Sequence, residues 1–480
     1  MSTTLAARRP VRRAGRGRGR LALQRLAALL GVLVLVTVAG CGGSRPEGNL
    51  DVPAADALDS APGVTKVTFW HSMDASNGVA LNTLVAKFNA AHAGKIVVEP
   101  VFEGDYDTAI TKYKASVQSS TTPSIIQIYD IGTQFMVDSG EVVPVAGFAK
   151  RDGYDLGVIQ KNIAGTYTVG GTQWSMPLNS SVPLLYYNKT AFKAAGLDPD
   201  RPPQNLAEIR AAAEKLSKVN GGPVTYGFGA AIYGWYLEQF AATAGDEFCN
   251  ADNGRTGQRV TAANMSSPTI TEAVEWWQKM VADGLAVNTG RVSKDAQDAF
   301  KAGQTAMTFE STGQVKGFTA AAKGKFELGA AAYPVVSGSE TPGNGPSIGG
   351  GSLWISGPGH SEAEKEASWQ LAKFLAQPDS QAFWHTQTGY FPVTSKALDE
   401  PADKEFVAKN PLFTVAIDSL NKTQVSPATT GCAAGPMPQM RKNLEDGLER
   451  ALIGKDARTS LVKVQENVAE SVSSYNESVG

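Results

Sequence analysis

With 480 residues the chain is too long for a single hydrophobic core, so two lobes are expected. Its 44 lysines and arginines nearly balance 46 aspartates and glutamates, but eight of the arginines (8, 9, 12, 13, 16, 18, 20 and 25) lie in the first 40 residues, which hold no acid. Without those eight, 36 basic residues face 46 acidic ones, a net charge of about −10 that argues against nucleic acid as a partner.

The arginine-rich start runs into an apolar stretch, Leu21 to Val38, and then into Val38-Ala39-Gly40-Cys41. This is the order of a secretory signal peptide, spanning residues 1–40. It resembles a bacterial lipobox, whose cysteine, here Cys41, is diacylated and becomes the new N-terminus. Two acyl chains hold a protein stably at a membrane where one does not. A permanent membrane span or a nucleic-acid-binding arginine tail fits less well, because Gly42-Gly43-Ser44 and the stretch to residue 63 suit a tether. The paired arginines make no convincing twin-arginine signal, so the general secretory route is expected, with the mature protein on the outer face of the cell membrane. With Cys41 lipidated, Cys249 and Cys432 remain. Outside the cytoplasm such a pair forms one disulfide or stays as two buried thiols, and the sequence leaves both open.

Val64 to Trp70 alternates as a strand does, and Leu81, Leu84, Val85 and Phe88 share one face of a following helix. Lys95 to Phe102 and Ser124 to Tyr129 are further strands, the first followed by Glu103-Gly104-Asp105-Tyr106 and the second by Asp130. Strands alternating with helices, with Gly, Asp and Tyr at the strand ends, indicate an α/β fold with ligands at the carboxyl edge. Met176 to Lys189 is the crossover between the lobes. Its two prolines keep the backbone extended, Asn179-Ser180-Ser181 offers small polar groups at a cleft, and a strand runs from Val182 to Tyr187. Beyond it, Asn205 with Glu208 reads as a helix cap, Tyr233-Gly234-Trp235-Tyr236 is an aromatic cluster, and Thr269 to Gly284 is a helix whose Trp276-Trp277 belong to the core. Ala306 to Phe309 is a strand, Ser311 caps the next helix, Gly343 to Gly351 is a second glycine-rich join, and Ser352 to Ile355 is a strand. Ser361 with Glu364 is a capping-box candidate for a helix ending near Pro378, and amphipathic helices finish the chain from about Met440.

Several short motifs in this order, Phe69-Trp-His-Ser-Met73, Gln127-Ile-Tyr-Asp-Ile-Gly132, Asn179-Ser-Ser181, Leu185-Tyr-Tyr-Asn-Lys189, Ala195-Gly-Leu-Asp-Pro199 and Gly234-Trp235, resemble a known family. Ala306-Met-Thr308, Gly349-Gly350 with Leu353-Trp354, Trp384-His385, Thr388-Gly-Tyr-Phe-Pro392 and Met437-Pro-Gln-Met-Arg441 extend the resemblance to residues 65–475. The family is the extracellular solute-binding proteins of bacterial ABC importers, of the glycerol-3-phosphate-binding type. The resemblance implies a two-lobed, hinged, periplasmic-binding-protein-like fold of type II whose lobes are discontinuous in sequence. Residues 64–177 and 349–393 would form lobe I, and 178–348 and 394–480 lobe II with the C-terminal helices. The family's ligand contacts fall on Tyr106, Asp130 (usually a glutamate), Ser181, Ser311, Gly350, Tyr390 and Arg441. At 206 some relatives place a tryptophan against the ligand. Leu206 would leave a wider wall, with room for a larger head group such as the choline of glycerophosphocholine. A membrane permease is the implied partner, the protein is expected to be a monomer, and neither cofactor nor metal is implied.

The residue types suit that chemistry. The Arg441 fork matches phosphate oxygens, Ser311 before a helix can present its hydroxyl to an anion, and Gly350 admits close backbone approach. Asp130 suits glycerol hydroxyls or a cationic substituent, and Tyr106, Tyr390 and Trp235 suit an apolar or quaternary-ammonium portion. Taken singly, the same residues fit a surface ion pair, a cap and a turn. Three other functions compete. One is a sugar or oligosaccharide receptor of the same design. Another is a secreted phosphodiester hydrolase, since Gly345-Pro-Ser-Ile-Gly349 matches the nucleophile-elbow pattern, but Gly and Pro precede the serine where a strand is required. The last is a lipoprotein adhesin or scaffold, for which the cleft would be incidental. The four histidines, 71, 92, 360 and 385, show no metal-ligand spacing.

Overall fold

The structure, a computed structural model, describes residues 51–336 and 344–480. The expected leader, Cys41 and residues 42–50 of the tether lie outside them, as does part of the second glycine-rich join. The described residues form thirteen strands in chain order: β1 (Thr65–His71), β2 (Ile96–Phe102), β3 (Ile125–Tyr129), β4 (Val142–Val143), β5 (Thr168–Val169), β6 (Thr172–Gln173), β7 (Met176–Ser181), β8 (Pro183–Asn188), β9 (Tyr226–Ala230), β10 (Ala286–Asn288), β11 (Thr305–Ser311), β12 (Leu328–Ala332) and β13 (Gly349–Ser356).

They build two main sheets. The first has the order β2-β1-β3-β13-β4, with β7 also paired to β13, and the second has the order β10-β9-β11-β8-β12. In each, a parallel set made by strand–helix–strand units is completed by antiparallel strands: β13 beside β3, and β8 beside β11. Central strands are buried throughout and mostly apolar, as in layers covered on both faces. All five residues of β3 and all six of β8 are buried. The edge strand β2 instead alternates and ends exposed.

The chain changes sheet at Val182, between β7 and β8. Leu178 to Ser181, assigned by the sequence to the second lobe, therefore stand in the first sheet, with Asn179 to Ser181 registered against Gly351 to Gly349 of β13. The chain comes back to β7 once more where Phe391 bridges to Ser180. Three chain passages thus meet at β7. Among the described residues no helix is long and apolar enough to cross a membrane.

Caps act where the sequence placed them. Asn205 accepts from the Glu208 N–H at the start of the helix Leu206–Leu216, and Ser361 and Glu364 form a reciprocal capping box. Trp277 is fully buried, in keeping with a core role. Cys249 and Cys432 are joined as a disulfide, with Cα atoms 5.8 Å apart. It ties the residues before the helix Met437–Leu452 to the loop after the helix Gly234–Ala244.

Candidate functional site

The site begins with two helices that cross at a glycine. A Cβ on Gly234 would lie 2.8 Å from Arg441 Cγ and 3.0 Å from the Arg441 carbonyl oxygen. This close approach seats Arg441, on the helix Met437–Leu452, one turn along from Gly234 and against Glu238. Arg441 Nε and Nη2 each donate to a Glu238 carboxylate oxygen at 2.6 Å. Nη2 also reaches Asp130 Oδ2 at 3.4 Å, and Nη1 reaches the Tyr233 hydroxyl at 3.4 Å. The guanidinium lies 5.4 Å from the centre of the Tyr233 ring, a cation–π distance. Glu445, one turn beyond Arg441 on the same helix, accepts the Gly234 N–H at 3.0 Å.

Electrostatics follow from burial and from this pairing. Burial works against the Arg441 charge, but Glu238, Tyr233 and Asp130 beside it hold the guanidinium well above the ordinary arginine value. Burial lifts the Asp130 carboxyl to about 6, against the pull of Arg441 and with a further push from Glu238. Burial likewise lifts Glu445 to about 7. A second enclosed guanidinium, Arg255, donates to the carbonyl oxygens of Thr166, Thr430 and Gly431. Burial lowers it to about 10, and Asp130 is the carboxylate whose field supports it.

The other wall is aromatic and amide-lined. Tyr106, first residue of the helix Tyr106–Ser119, stacks on Tyr129 at 5.2 Å and accepts from Asn179 Nδ2 at 2.9 Å. The Asn179 Oδ1 takes the amide of buried Gln127, whose own oxygen takes the Ser72 N–H. Tyr390 faces Tyr106 and Asn179. Burial lifts its phenol to about 12 against their hydrogen bonds. Its ring packs on Gly313, where a Cβ would stand 2.7 Å from Tyr390 Cζ. The Gly313 N–H in turn donates to the Ser311 hydroxyl at 3.1 Å. The Trp235 indole lies against Gly349, and Ser181 is the register partner of that glycine. Two buried donors at this border, Trp235 Nε1 and the Ser180 hydroxyl, have no hydrogen-bond partner among the described residues.

Eight of the nine expected ligand residues therefore belong to one network of contacts that runs by way of Tyr129, Asn179, Tyr233, Gly313 and Gly349: Tyr106, Asp130, Ser181, Trp235, Ser311, Gly350, Tyr390 and Arg441. Three expectations change in detail. The Arg441 fork, expected to grip phosphate with its planar edge, is gripped by Glu238. At Gly350, with φ +115°, a Cβ would strike the Asn179 carbonyl of β7, so β7 is the backbone that approaches closely there. Leu206 stands on the core-facing stripe of its helix with Ile209, Ala213 and Leu216, its N–H bonded to the Val335 carbonyl. The wider wall expected at 206 is thus a packing position in the core of the second sheet. Ser347, the would-be elbow serine, is buried and bonded to Gln239; residues 344–346 directly before it form no strand, and β13 rather than a helix follows it, the reverse of what a nucleophile elbow requires.

Glu238, Glu445 and Arg255 escaped the sequence. Glu445 was within reach, since it lies four residues after Arg441 on one helix face. Glu238 joins Arg441 only through the helix crossing, and no local pattern announces it.

Residues 83–415 match the family model described as bacterial extracellular solute-binding protein. The sn-glycerol-3-phosphate-binding periplasmic protein UgpB of Pectobacterium atrosepticum is 32% identical over 400 residues, 82% of this chain and 88% of that one. UgpB of Escherichia coli K12 is 33% identical over 407 residues, 83% of this chain and 90% of that one. Among solved structures, UgpB from Mycobacterium tuberculosis in complex with glycerophosphocholine superposes with a TM-score of 0.72 at 24% identity, covering 86% of this chain and 99% of that one. A cyclic alpha-maltosyl-1,6-maltose binding protein from Arthrobacter globiformis superposes at 0.67 and 24%, covering 85% and 99%. With the paired sheets, the three passages at β7 and this sequence similarity, the chain belongs to the bacterial extracellular solute-binding proteins and has their periplasmic-binding-protein-like fold.

Proposed function

We propose that the protein is the lipid-anchored receptor of an ABC importer, a monomer tethered through Cys41 that binds a small glycerol-linked phosphate and passes it to a membrane permease. The first lobe is residues 64–177, extended to Ser181 with β7, together with 349–393. The second runs to 348 and from 394 to 480. The observation that carries the reading is Arg441, a buried cation from a C-terminal helix that meets Asp130 at the end of β3. A buried cation ringed by hydroxyls, ring faces and donors in want of partners suits one phosphate and its substituents. The relatives named for glycerol-3-phosphate and the fold neighbour holding glycerophosphocholine point the same way. Closure of the lobes on the ligand would supply the shape the permease reads. The protein then acts by binding and release, without turnover.

A sugar receptor is the second reading. It is favoured by the number of carboxylates and amides in the cluster and by the maltose-type ligand of a fold neighbour. Calorimetry of the soluble mature chain with glycerol-3-phosphate, glycerophosphocholine and maltose separates them. One-to-one binding of a glycerol-linked phosphate with the ligand recovered intact is expected. Heat with maltose alone would put the sugar reading in its place, and hydrolysis of the diester would make the protein an enzyme.

A further inference from the structure

The nearest partner of Arg441 is Glu238, bidentate at 2.6 Å on both oxygens. Glu238 has a side chain 10% exposed, so its charge has little water to fall back on. A phosphate taking the same edge of the guanidinium would leave that carboxylate enclosed and unpaired, which is costly. The edge that remains is Nη1, beside the Tyr233 hydroxyl. Around this one cation stand three carboxylates, Glu238, Asp130 and Glu445. Asp130 also lies in the field of Arg255, and Glu445 stands 4.0 Å from Arg291, so Glu238 is the carboxylate whose pairing with Arg441 cancels the charge a phosphate would otherwise meet. A fork neutralised in this way offers little to a dianion and favours a ligand that brings a cation with its phosphate, a cation the Tyr233 and Trp235 rings also attract.

We propose that Glu238 is a specificity-determining residue. By holding the Arg441 fork and cancelling its charge, it makes the cleft accept a singly charged phosphodiester bearing a cationic head group and disfavour a doubly charged phosphomonoester. This rests on the glycerol-phosphate reading above. Glu238 acts by charge and by occupying the fork. It discriminates by making the wrong ligand unfavourable rather than by adding a contact to the right one.

The test uses the whole mature chain and three probes: glycerophosphocholine (a zwitterion), glycerophosphoglycerol (an anionic diester without a cation) and glycerol-3-phosphate. The wild type is expected to bind them in that order. Glu238→Gln should raise the affinity for glycerol-3-phosphate relative to glycerophosphocholine by about tenfold or more, whereas Glu238→Asp, which keeps the charge, should preserve the wild-type order even if it weakens all three. A wild type that binds glycerophosphocholine while Glu238→Gln leaves the ratios unchanged overturns the role of Glu238 alone. A wild type that binds none of the three overturns the glycerol-phosphate reading itself. If Glu238→Gln does not fold, a crystal structure of the wild-type complex decides. The Glu238–Arg441 pair intact beside the bound phosphate supports the proposal, and Glu238 swung away with phosphate on Nε and Nη2 overturns it.

Discussion

The indole of Trp235 lies directly on Gly349, so that a Cβ at 349 would stand 2.5 Å from Trp235 Cζ2. The helix Gly234–Ala244, which carries Trp235 and Glu238, is thereby set against the first residue of β13, next to the β7 strand where the chain changes sheet. Gly349→Ala should push the indole away. Overpacking of this kind costs about 1–3 kcal/mol, and ligand affinity should fall with it. Urea unfolding and calorimetry check this. Both unchanged would mean that the indole has free room to move.

Arg441→Ala should weaken binding of a glycerol-linked phosphate by about 2–5 kcal/mol, the range for truncating one partner of a buried charge pair. It also leaves Glu238 without its cation, so thermal stability should drop even with no ligand present. An unchanged dissociation constant in a folded variant would remove the arginine from the site.

Burial raises Asp130 from 3.8 to about 6 and Glu445 from 4.5 to about 7. A carboxyl raised in this way binds its proton more readily folded than unfolded, so its contribution to stability falls as the pH rises through the window between the two values. From about pH 4 to pH 7 these two groups therefore oppose folding increasingly. Glu445→Gln keeps an oxygen for the Gly234 N–H and removes the ionisation. It should be more stable than the wild type at pH 8, by an amount on the order of 1–3 kcal/mol, with the difference vanishing near pH 4. Melting curves across that range would show the two proteins converging, and a constant gap would contradict the account.

Leu206→Trp should act on folding rather than on selectivity, because Leu206 is buried on the inner stripe of its helix. A loss of about 1–3 kcal/mol from overpacking is expected, with the ratio of affinities for glycerophosphocholine and glycerol-3-phosphate unaltered. A selective loss of the diester would return residue 206 to the ligand wall.

The Cys249–Cys432 bond spans 183 residues of sequence. Opening it should cost about 2–5 kcal/mol, since a long loop in the unfolded chain is released. Intact mass with and without reductant should differ by two hydrogens, and Cys249→Ser with Cys432→Ser should melt earlier. Two alkylatable thiols in the unreduced, denatured protein would rule the bond out.

Periodicity and local chemistry determined much of this protein. The alternation in Val64 to Trp70, the apolar runs of β3 and β8, and the caps at Asn205 and Ser361 are short-range patterns, and each produces the element expected of it. Ordered motifs likewise marked eight residues that the fold gathers, because strand ends and helix starts carry recognisable polar residues. What only the tertiary structure decided is who meets whom across long separations. Met176 to Ser181 reads as an extended join, yet it becomes a strand because β13, about 170 residues later, offers it an edge. Nothing in the sequence around Glu238 marks it, yet the crossing at Gly234 brings it within 2.6 Å of Arg441, 203 residues away. Leu206 reads as a change in a ligand wall, and its helix turns it into the core instead. Strand pairing, helix crossing and burial depend on partners that no local window contains, and they set the charge balance around Arg441.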